Sequence, residues 1–303
     1  MRAHAAGSME AERVLMNGRV DEAVQMLNVE VTENRTDGAA HLLLCRAYIS
    51  VQRVDAAVPE CETAVRLMSQ NSRAQDWMGR AYGMKANSAG PFTGLKLAHQ
   101  VREAFEASFS LDPHNADAVN DLAEYYVGAP SLVGGGTDKA DDLADRVQGY
   151  MPQTAHRIHA LSAEKRKDYS TAEREFSAAT SVKNAPEAWV DLGGFYKRRK
   201  QTAKAVDALQ HAYAADAAKN SAVVDVASYL MDMHVKPALA KKALEQYLAN
   251  DAKSDAAPVV HVHVLLGRLL QADGDREGAK GEFNKALQLA ANYGPAKKAL
   301  QGL

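Results

Sequence analysis

The chain has 303 residues, 47% hydrophobic and 24% charged, with 36 Lys plus Arg against 38 Asp plus Glu for a formal net charge of -2. That is enough chain for a full core, and it excludes both a disordered tail and a uniformly basic polyanion binder. The 56 Ala against two Ile favour helix over sheet, because alanine loses no side-chain entropy in a helix while β-branched residues pack best on a pleated surface.

A self-similar order runs along the chain, and each unit of it reads as a pair of helices. The first unit is marked by Ala11, Val14, Ala23 and Leu27 alone. In the second, Leu44, Cys45 and Tyr48 are followed by Ala57, Cys61 and Ala64. The third sets Trp77, Gly79 and Tyr82 before Val101, Phe105 and Ser108, ten residues late, which predicts an inserted loop at 84–97 around Gly90, Pro91 and Gly94. The fourth has Leu122, Ala123 and Tyr126, then Ala140, Ala144 and Val147, five residues late, predicting a second inserted loop at 128–136. Tyr169, Ala172, Phe176 and Ala179 mark the second helix of the fifth unit. The sixth is complete in Trp189, Leu192, Gly193, Tyr196, Ala205, Leu209 and Ala212, and the seventh is one residue out of phase around Pro237. The eighth repeats the order as Leu266, Gly267, Leu270, Ala279, Phe283 and Ala286, and residues 295–303 read as a closing helix. First helical positions fall near His4, Gly38, Ser72, Ala116, Gln153, Pro186, Asn220 and Val260.

This alternation of small and large residues at a step near 34 resembles the tetratricopeptide repeat (TPR), in which small side chains sit where two antiparallel helices approach and aromatics fill the space between. The segments Gly79–Gly83, Glu124–Pro130 and Gly134–Ala140 are similar to a bacterial subgroup of these proteins. The resemblance implies an all-α chain, a right-handed α-solenoid of about 16 helices plus the closing helix, built as one array over 1–303. It also implies a groove lined by the first helices, which commonly holds a peptide or partner protein.

Transferring the groove positions of that repeat gives Arg46, Arg73, Asp76, Trp77, Arg80, Asp117, Asn120, Asp121, Glu124, Arg157, Glu187, Asp191, Asp225 and Arg268, of which Arg46, Trp77, Arg80, Asn120, Asp121, Glu124, Arg157 and Asp191 are the partner-binding candidates. Arg46 and Arg80, in neighbouring units, would grip a carboxylate bidentately. Asp121 and Glu124, one helical turn apart, would take a cation or a basic side chain. The alternative is that these opposite charges pair with each other, as exposed charges on adjacent helices commonly do. The Lys, Asn, Asn, Lys and Arg set with which one TPR subfamily holds C-terminal carboxylates is not reproduced. Phe92 and Leu132, one from each insertion, would form a lip beside the groove. Lys165, Arg166, Lys167 and Lys197, Arg198, Arg199, Lys200 would align as a basic ridge toward an anionic partner, or would simply complement helix C-termini.

The remaining motifs point away from catalysis. Gly134-Gly135-Gly136-Thr137 lacks the Gly-Lys-Ser/Thr ending and preceding strand of a phosphate loop, so it reads as a flexible loop or a close backbone approach. His261 and His263, two apart on a helix, do not face one metal ion, and no metal or cofactor is expected. Cys45 and Cys61 read as buried thiols in a cytosolic setting, or as a disulfide across the hairpin in an exported one. No stretch reaches the 18 apolar residues of a membrane span, and residues 1–12 lack a leader's apolar core. The expectation is a non-catalytic binding scaffold, with a homo-oligomeric assembly protein as the alternative. It would be cytoplasmic as written, and periplasmic or exported if an upstream signal peptide was removed. No specific nucleic acid is expected as a partner.

Overall fold

A computed structural model describes residues 2–181 and 185–303, with side chains from residue 7 onward. Among the described residues there is no strand, and seventeen α-helices follow one another. They are α1 (Arg2–Met16), α2 (Val20–Glu33), α3 (Gly38–Ser50), α4 (Val54–Leu67), α5 (Ser72–Ser88), α6 (Pro91–Leu111), α7 (Ala116–Gly128), α8 (Thr137–Val147) and α9 (Pro152–Lys165). After these come α10 (Tyr169–Ala179), α11 (Pro186–Arg198), α12 (Thr202–Ala215), α13 (Ser221–Asp232), α14 (Pro237–Ala249), α15 (Val259–Ala272), α16 (Arg276–Leu289) and α17 (Gly294–Gln301). Side chains start several of them: Asn71, Asn115, Asp168, Asn220 and Asp275 each accept from a backbone N–H of the first turn, satisfying groups with no partner inside the helix.

The chain divides into two compact units. The first comprises Met1–Ser8, Leu27–Ile49 and Arg53–Ser181, and the second Met9–Met26, Ser50–Gln52 and Val182–Leu303. In each, a first helix packs antiparallel on the second helix of its own hairpin: α5 on α6 and α9 on α10 in the one, α11 on α12 and α15 on α16 in the other. A small residue at the eighth position of the first helix sets that approach. A Cβ built on Gly79 would lie 2.4 Å from Phe105 Cε1, and one on Gly267 would lie 2.4 Å from Phe283 Cε1. The aromatic of the second helix therefore closes directly onto bare backbone, and Phe283 is fully buried there.

In the second hairpin the eighth position is Cys45, and it is bonded to Cys61 as a disulfide joining α3 to α4, with the Cα atoms 5.1 Å apart. This is the cross-hairpin arrangement of the two readings that the sequence left open.

The insertion at 84–97 is not a loop. Its residues lengthen both helices, to 17 residues in α5 and 21 in α6, and only Ala89 and Gly90 lie between them. The physical reason is local. Met84 to Asn87 hold no breaker, and Pro91 occupies the first turn of α6, where its fixed φ fits and its missing N–H costs nothing. Gly94 sits inside the helix at a cost of about 1 kcal/mol relative to alanine, which packing absorbs.

The insertion at 128–136 does form a connection, with a 3-10 turn at Ser131–Val133. Its glycines serve close approach. Gly134 has φ 90° and Gly136 φ 157°, and a Cβ on Gly135 would lie 1.9 Å from the Ala129 carbonyl oxygen. The Gly136 N–H donates to the Tyr126 carbonyl at 2.7 Å, folding the loop back on α7.

Candidate functional site

In the first unit, the first helices α5, α7 and α9 bring most of the sequence-derived charged positions together. Arg80 is the hub. Its Nε donates to Asp121 Oδ2 at 2.5 Å and lies 3.1 Å from Asp76 Oδ2, while Nη2 is 3.7 Å from Asp117. Its guanidinium also lies over the Trp77 ring, 4.7 Å from the centroid, with Arg46 5.9 Å from the same centroid. One helix further on, Arg157 Nη2 donates to Glu124 Oε1 at 2.6 Å and Nη1 to Asn120 Oδ1 at 3.4 Å.

The cluster is buried enough to perturb its acids. Asp76 is 1% exposed, and its Oδ1 has no hydrogen-bond partner. Burial pushes its carboxyl up to about 7, against the pull of Arg80 and with help from Asp121 and Asp117. Burial likewise raises Asp121, again opposed by Arg80. This face thus has an arginine already held by three carboxylates of its own chain, and Arg46 is only 2% exposed. A free pair of arginines for a bidentate carboxylate grip is not laid out, and Asp121 and Glu124 each have an arginine.

The other sequence-derived positions are dispersed. Phe92 is 92% exposed but belongs to the first turn of α6, and Leu132 is 75% exposed in the 3-10 turn. The Tyr125 hydroxyl lies 2.8 Å from the carbonyls of both Ala98 and Val133, so it ties that turn to α6. Lys165, Arg166 and Lys167 close α9, where Arg166 Nη1 donates to Asp141 at 2.6 Å. Lys197 to Lys200 close α11 in the second unit, where Lys197 Nζ lies 2.5 Å from Asp232 Oδ2.

The second unit holds an open cavity. Between α13 and α15, reaching the end of α11 and the start of α14, lies a cavity of about 780 Å³. Its lining is mixed, with Leu230, Met231, Val235, Leu265 and Leu269 beside Lys197, Ser228, Asp232, His234 and Asp273. Arg268 opens into it, exposed and without an ion pair among the described residues. One helical turn before Ser228 in the lining, Asp225 stands with Asp191 and Glu187 of α11 as a group of acids. Asp225 stays solvent-accessible, yet desolvation by the surrounding helices, and after it the charges of Asp191 and Glu187, push its carboxyl up to about 6. Glu187 is raised as well, by desolvation first and then by Asp216 and Asp191. Glu187, Asp191, Asp225 and Arg268 all stand among the groove-facing positions read from sequence. The cavity itself was missed because Leu265 and Leu269 carry the same letters as core leucines.

A third feature was invisible to the eye in one dimension. His41, His156 and His263 each lie 2.6 to 2.8 Å from a glutamate nineteen residues later, Glu60, Glu175 and Glu282. The signal was present, since all three histidines take the fourth position of a first helix.

No protein-family model matches the chain, and no curated protein matches it in sequence. Among solved structures the chain is similar to TTC0263, a thermophilic TPR protein of Thermus thermophilus, at 17% identity and TM-score 0.51 over 75% of this chain and 99% of that one. It is similar also to yeast Tom70, at 16% identity and TM-score 0.54 over 97% of this chain and 63% of that one. At such identities the likeness concerns the path of the backbone, and both neighbours are stacks of paired helices.

Proposed function

We propose that this chain, whose fold is the tetratricopeptide-repeat α-solenoid, is a non-catalytic protein-binding scaffold that receives its partner on the α11–α15 face of its second unit. The observation that carries this reading is the contrast between two first-helix faces. On α5–α9 the charges are spent on one another, as with Arg80 and Asp121 or Arg157 and Glu124. On α11–α15 a partly apolar cavity lies open beside Arg268, which has no ion pair among the described residues. Apolar surface of that kind is stabilised by covering it, and a preformed cavity loses little entropy in doing so. A rigid stack of helices suits this task because the partner alone is ordered on binding.

Two other readings have less support. An anionic partner on the basic segments would have to displace Asp141 from Arg166 and Asp232 from Lys197. A homo-oligomeric assembly would use the exposed Phe92, Leu95 and Leu132, a small apolar area for a stable interface.

Site-specific crosslinking tests the proposal. A benzoylphenylalanine placed at Ala272, exposed in the cavity lining, is expected to capture discrete partner bands in extracts of the source cell. The same group at Lys280, exposed on α16, is expected to capture none of them. Equal capture at both positions would sink the assignment of this face.

A further inference from the structure

We infer that the tip of the α5–α6 hairpin, together with the 3-10 turn beside it, is a docking surface for an anionic phospholipid bilayer. This surface belongs to the first unit and is independent of the partner face on the second.

The tip is a product of the two insertions. The first helices α3, α5 and α7 start at equivalent positions of their units, yet α5 has 17 residues where the other two have 13. The difference carries the end of α5 about 6 Å further along its axis. There α6 begins with Pro91. The Tyr125 hydroxyl, within 2.8 Å of the carbonyls of both Ala98 and Val133, holds the turn Ser131–Val133 against α6.

Three large apolar side chains meet solvent on this tip: Phe92 is 92% exposed, Leu132 75% and Leu95 40%. Phe92 and Leu95 are three residues apart on α6, so they share one face. They stand at the end of a hairpin rather than in a groove, and their area falls short of what a stable protein interface buries. A bilayer needs no complementary shape, and its interfacial region takes up apolar side chains a few at a time.

Charge decides the kind of bilayer. No Asp or Glu occurs in 84–102 or 125–137, the two stretches that build the tip. Of the acids that border them, Glu103 lies by Arg102, Glu124 accepts from Arg157, and Asp138 is followed by Lys139. Lys96 follows Phe92 by four residues and His99 follows Leu95 by four. Each polar side chain is therefore one helical turn, about 6 Å, behind an apolar one on the same face. That order matches a bilayer surface, with apolar groups foremost and headgroups behind, and a lysine stem lies against apolar surface while its ammonium reaches a phosphate. Lys96 is exposed and has no ion pair among the described residues. Lys85 has Asp55 at 3.9 Å, but that carboxylate is 97% exposed and holds it weakly. Arg102 and Lys139 add little, since Glu106 lies 3.7 Å from the one and the other donates to the Gly134 carbonyl at 2.9 Å. Lys85 and Lys96 are thus the two cations an anionic surface would engage, each contributing roughly a fivefold gain in partitioning.

Sedimentation of the full chain with vesicles tests the inference. Binding is expected to phosphatidylcholine vesicles holding about 30% phosphatidylserine, at least about tenfold weaker to phosphatidylcholine alone, and weakened by added salt. Phe92→Ser with Leu132→Ser is expected to weaken binding by at least about tenfold, and Lys96→Glu by roughly tenfold. The replaced side chains are exposed, so equal melting temperatures of variants and unmodified chain separate lost binding from lost fold. With Cys45 and Cys61 bonded to each other, Phe92→Cys offers one thiol for a nitrobenzoxadiazole label. Its emission is expected to shift to the blue on anionic vesicles, while the same label on Lys280→Cys in α16 is expected to stay unchanged. Absence of binding to anionic vesicles, equal binding to both kinds, full binding by the double serine variant, or an equal shift at both labels overturns the inference. A benzoylphenylalanine at position 92 that captures one discrete protein, with no vesicle binding, overturns it too and gives the tip to a protein partner.

Discussion

His263 Nδ1 lies 2.7 Å from Glu282 Oε2, joining the first helix of the last hairpin to the second, and the same bond at the same nineteen-residue separation joins His156 to Glu175 and His41 to Glu60. An ionised carboxylate can only accept, so Nδ1 carries the proton in each pair. Burial works to raise the Glu282 carboxyl, but the His263 and Lys285 hydrogen bonds and charges outweigh it and hold the group below its ordinary value of 4.5. A carboxylate depressed in the folded state stabilises that state above its unfolded pKa, and the benefit is lost as pH falls through the folded value. Glu282→Gln is therefore expected to cost about 1–2 kcal/mol at pH 7 in urea unfolding. The gap to the unmodified chain should close as pH falls below about 4.5. A gap that is constant from pH 7 to pH 3.5 would remove the carboxylate's charge from the explanation.

That recurring bond also marks where sequence reasoning stops. Small residues such as Gly79, Gly193 and Gly267 recur once per unit at the same place in a first helix, so their period along the chain marks the hairpins and the all-α class directly. The His–Glu bond crosses between helices, and nineteen residues matches no helical or strand period. It becomes visible only when units are laid over one another and the fourth positions compared. The open cavity escaped for a different reason. Leu265 and Leu269 border the cavity although they are about as buried as Leu266 and Leu270, and nothing in a string of letters tells which of the four stands beside open space. The groove charges were legible as positions, but whether Arg80 is free or spent on Asp121 depends on a rotamer and a distance.

Asp76 makes the charged face of the first unit sensitive to pH in the opposite sense. Its carboxyl is pushed up to about 7 by burial, so between its ordinary value of 3.8 and about 7 the folded state binds more protons than the unfolded one. Stability from this group is then greatest at low pH and declines as pH rises toward 7. Asp76→Asn removes the ionisable group while keeping its shape. Relative to the unmodified chain, the variant is expected to gain stability steadily between about pH 4 and pH 8, as read from melting temperatures across that range. Arg80→Met leaves Asp76 and Asp121 without their counter-charge, and a loss of about 3–5 kcal/mol is expected at pH 7. A loss under 1 kcal/mol would mean the acids are already neutral or hydrated.

The Cys45–Cys61 bond closes a loop with a sequence separation of 16 inside one hairpin. Chain-entropy arguments give about 3 kcal/mol for a loop near that length, because the cross-link restricts the unfolded chain more than the folded one. Unfolding under reducing conditions should therefore begin at lower denaturant than under oxidising ones. The premise is checked separately by iodoacetamide on the denatured chain, which should add no group before reduction and two groups after it. Two groups without reduction would return both cysteines to buried thiols.

Two glycines of the last hairpin should respond to the same substitution with opposite sign. Gly281 is exposed within α16, and a Cβ there meets nothing within 4 Å. Gly281→Ala gains helix propensity and unfolded-state entropy without a clash, so it should stabilise by about 0.5–1 kcal/mol. Gly267 lies in α15 against Phe283, and a Cβ there would lie 2.4 Å from Cε1 and 3.0 Å from Cζ. Phe283 is fully buried and has nowhere to withdraw, so the hairpin must open to admit the methyl. The propensity gain of about 1 kcal/mol is then overtaken by an overpacking cost of about 1–3 kcal/mol, and where the clash is severe by more. Gly267→Ala should destabilise in guanidinium unfolding and loosen protection of α15 and α16 amides in hydrogen exchange, while Gly281→Ala should leave exchange unchanged. If Gly267→Ala stabilises as Gly281→Ala does, close approach of the two backbones is not what holds the hairpin, and the small residue at the eighth position has lost its physical meaning here.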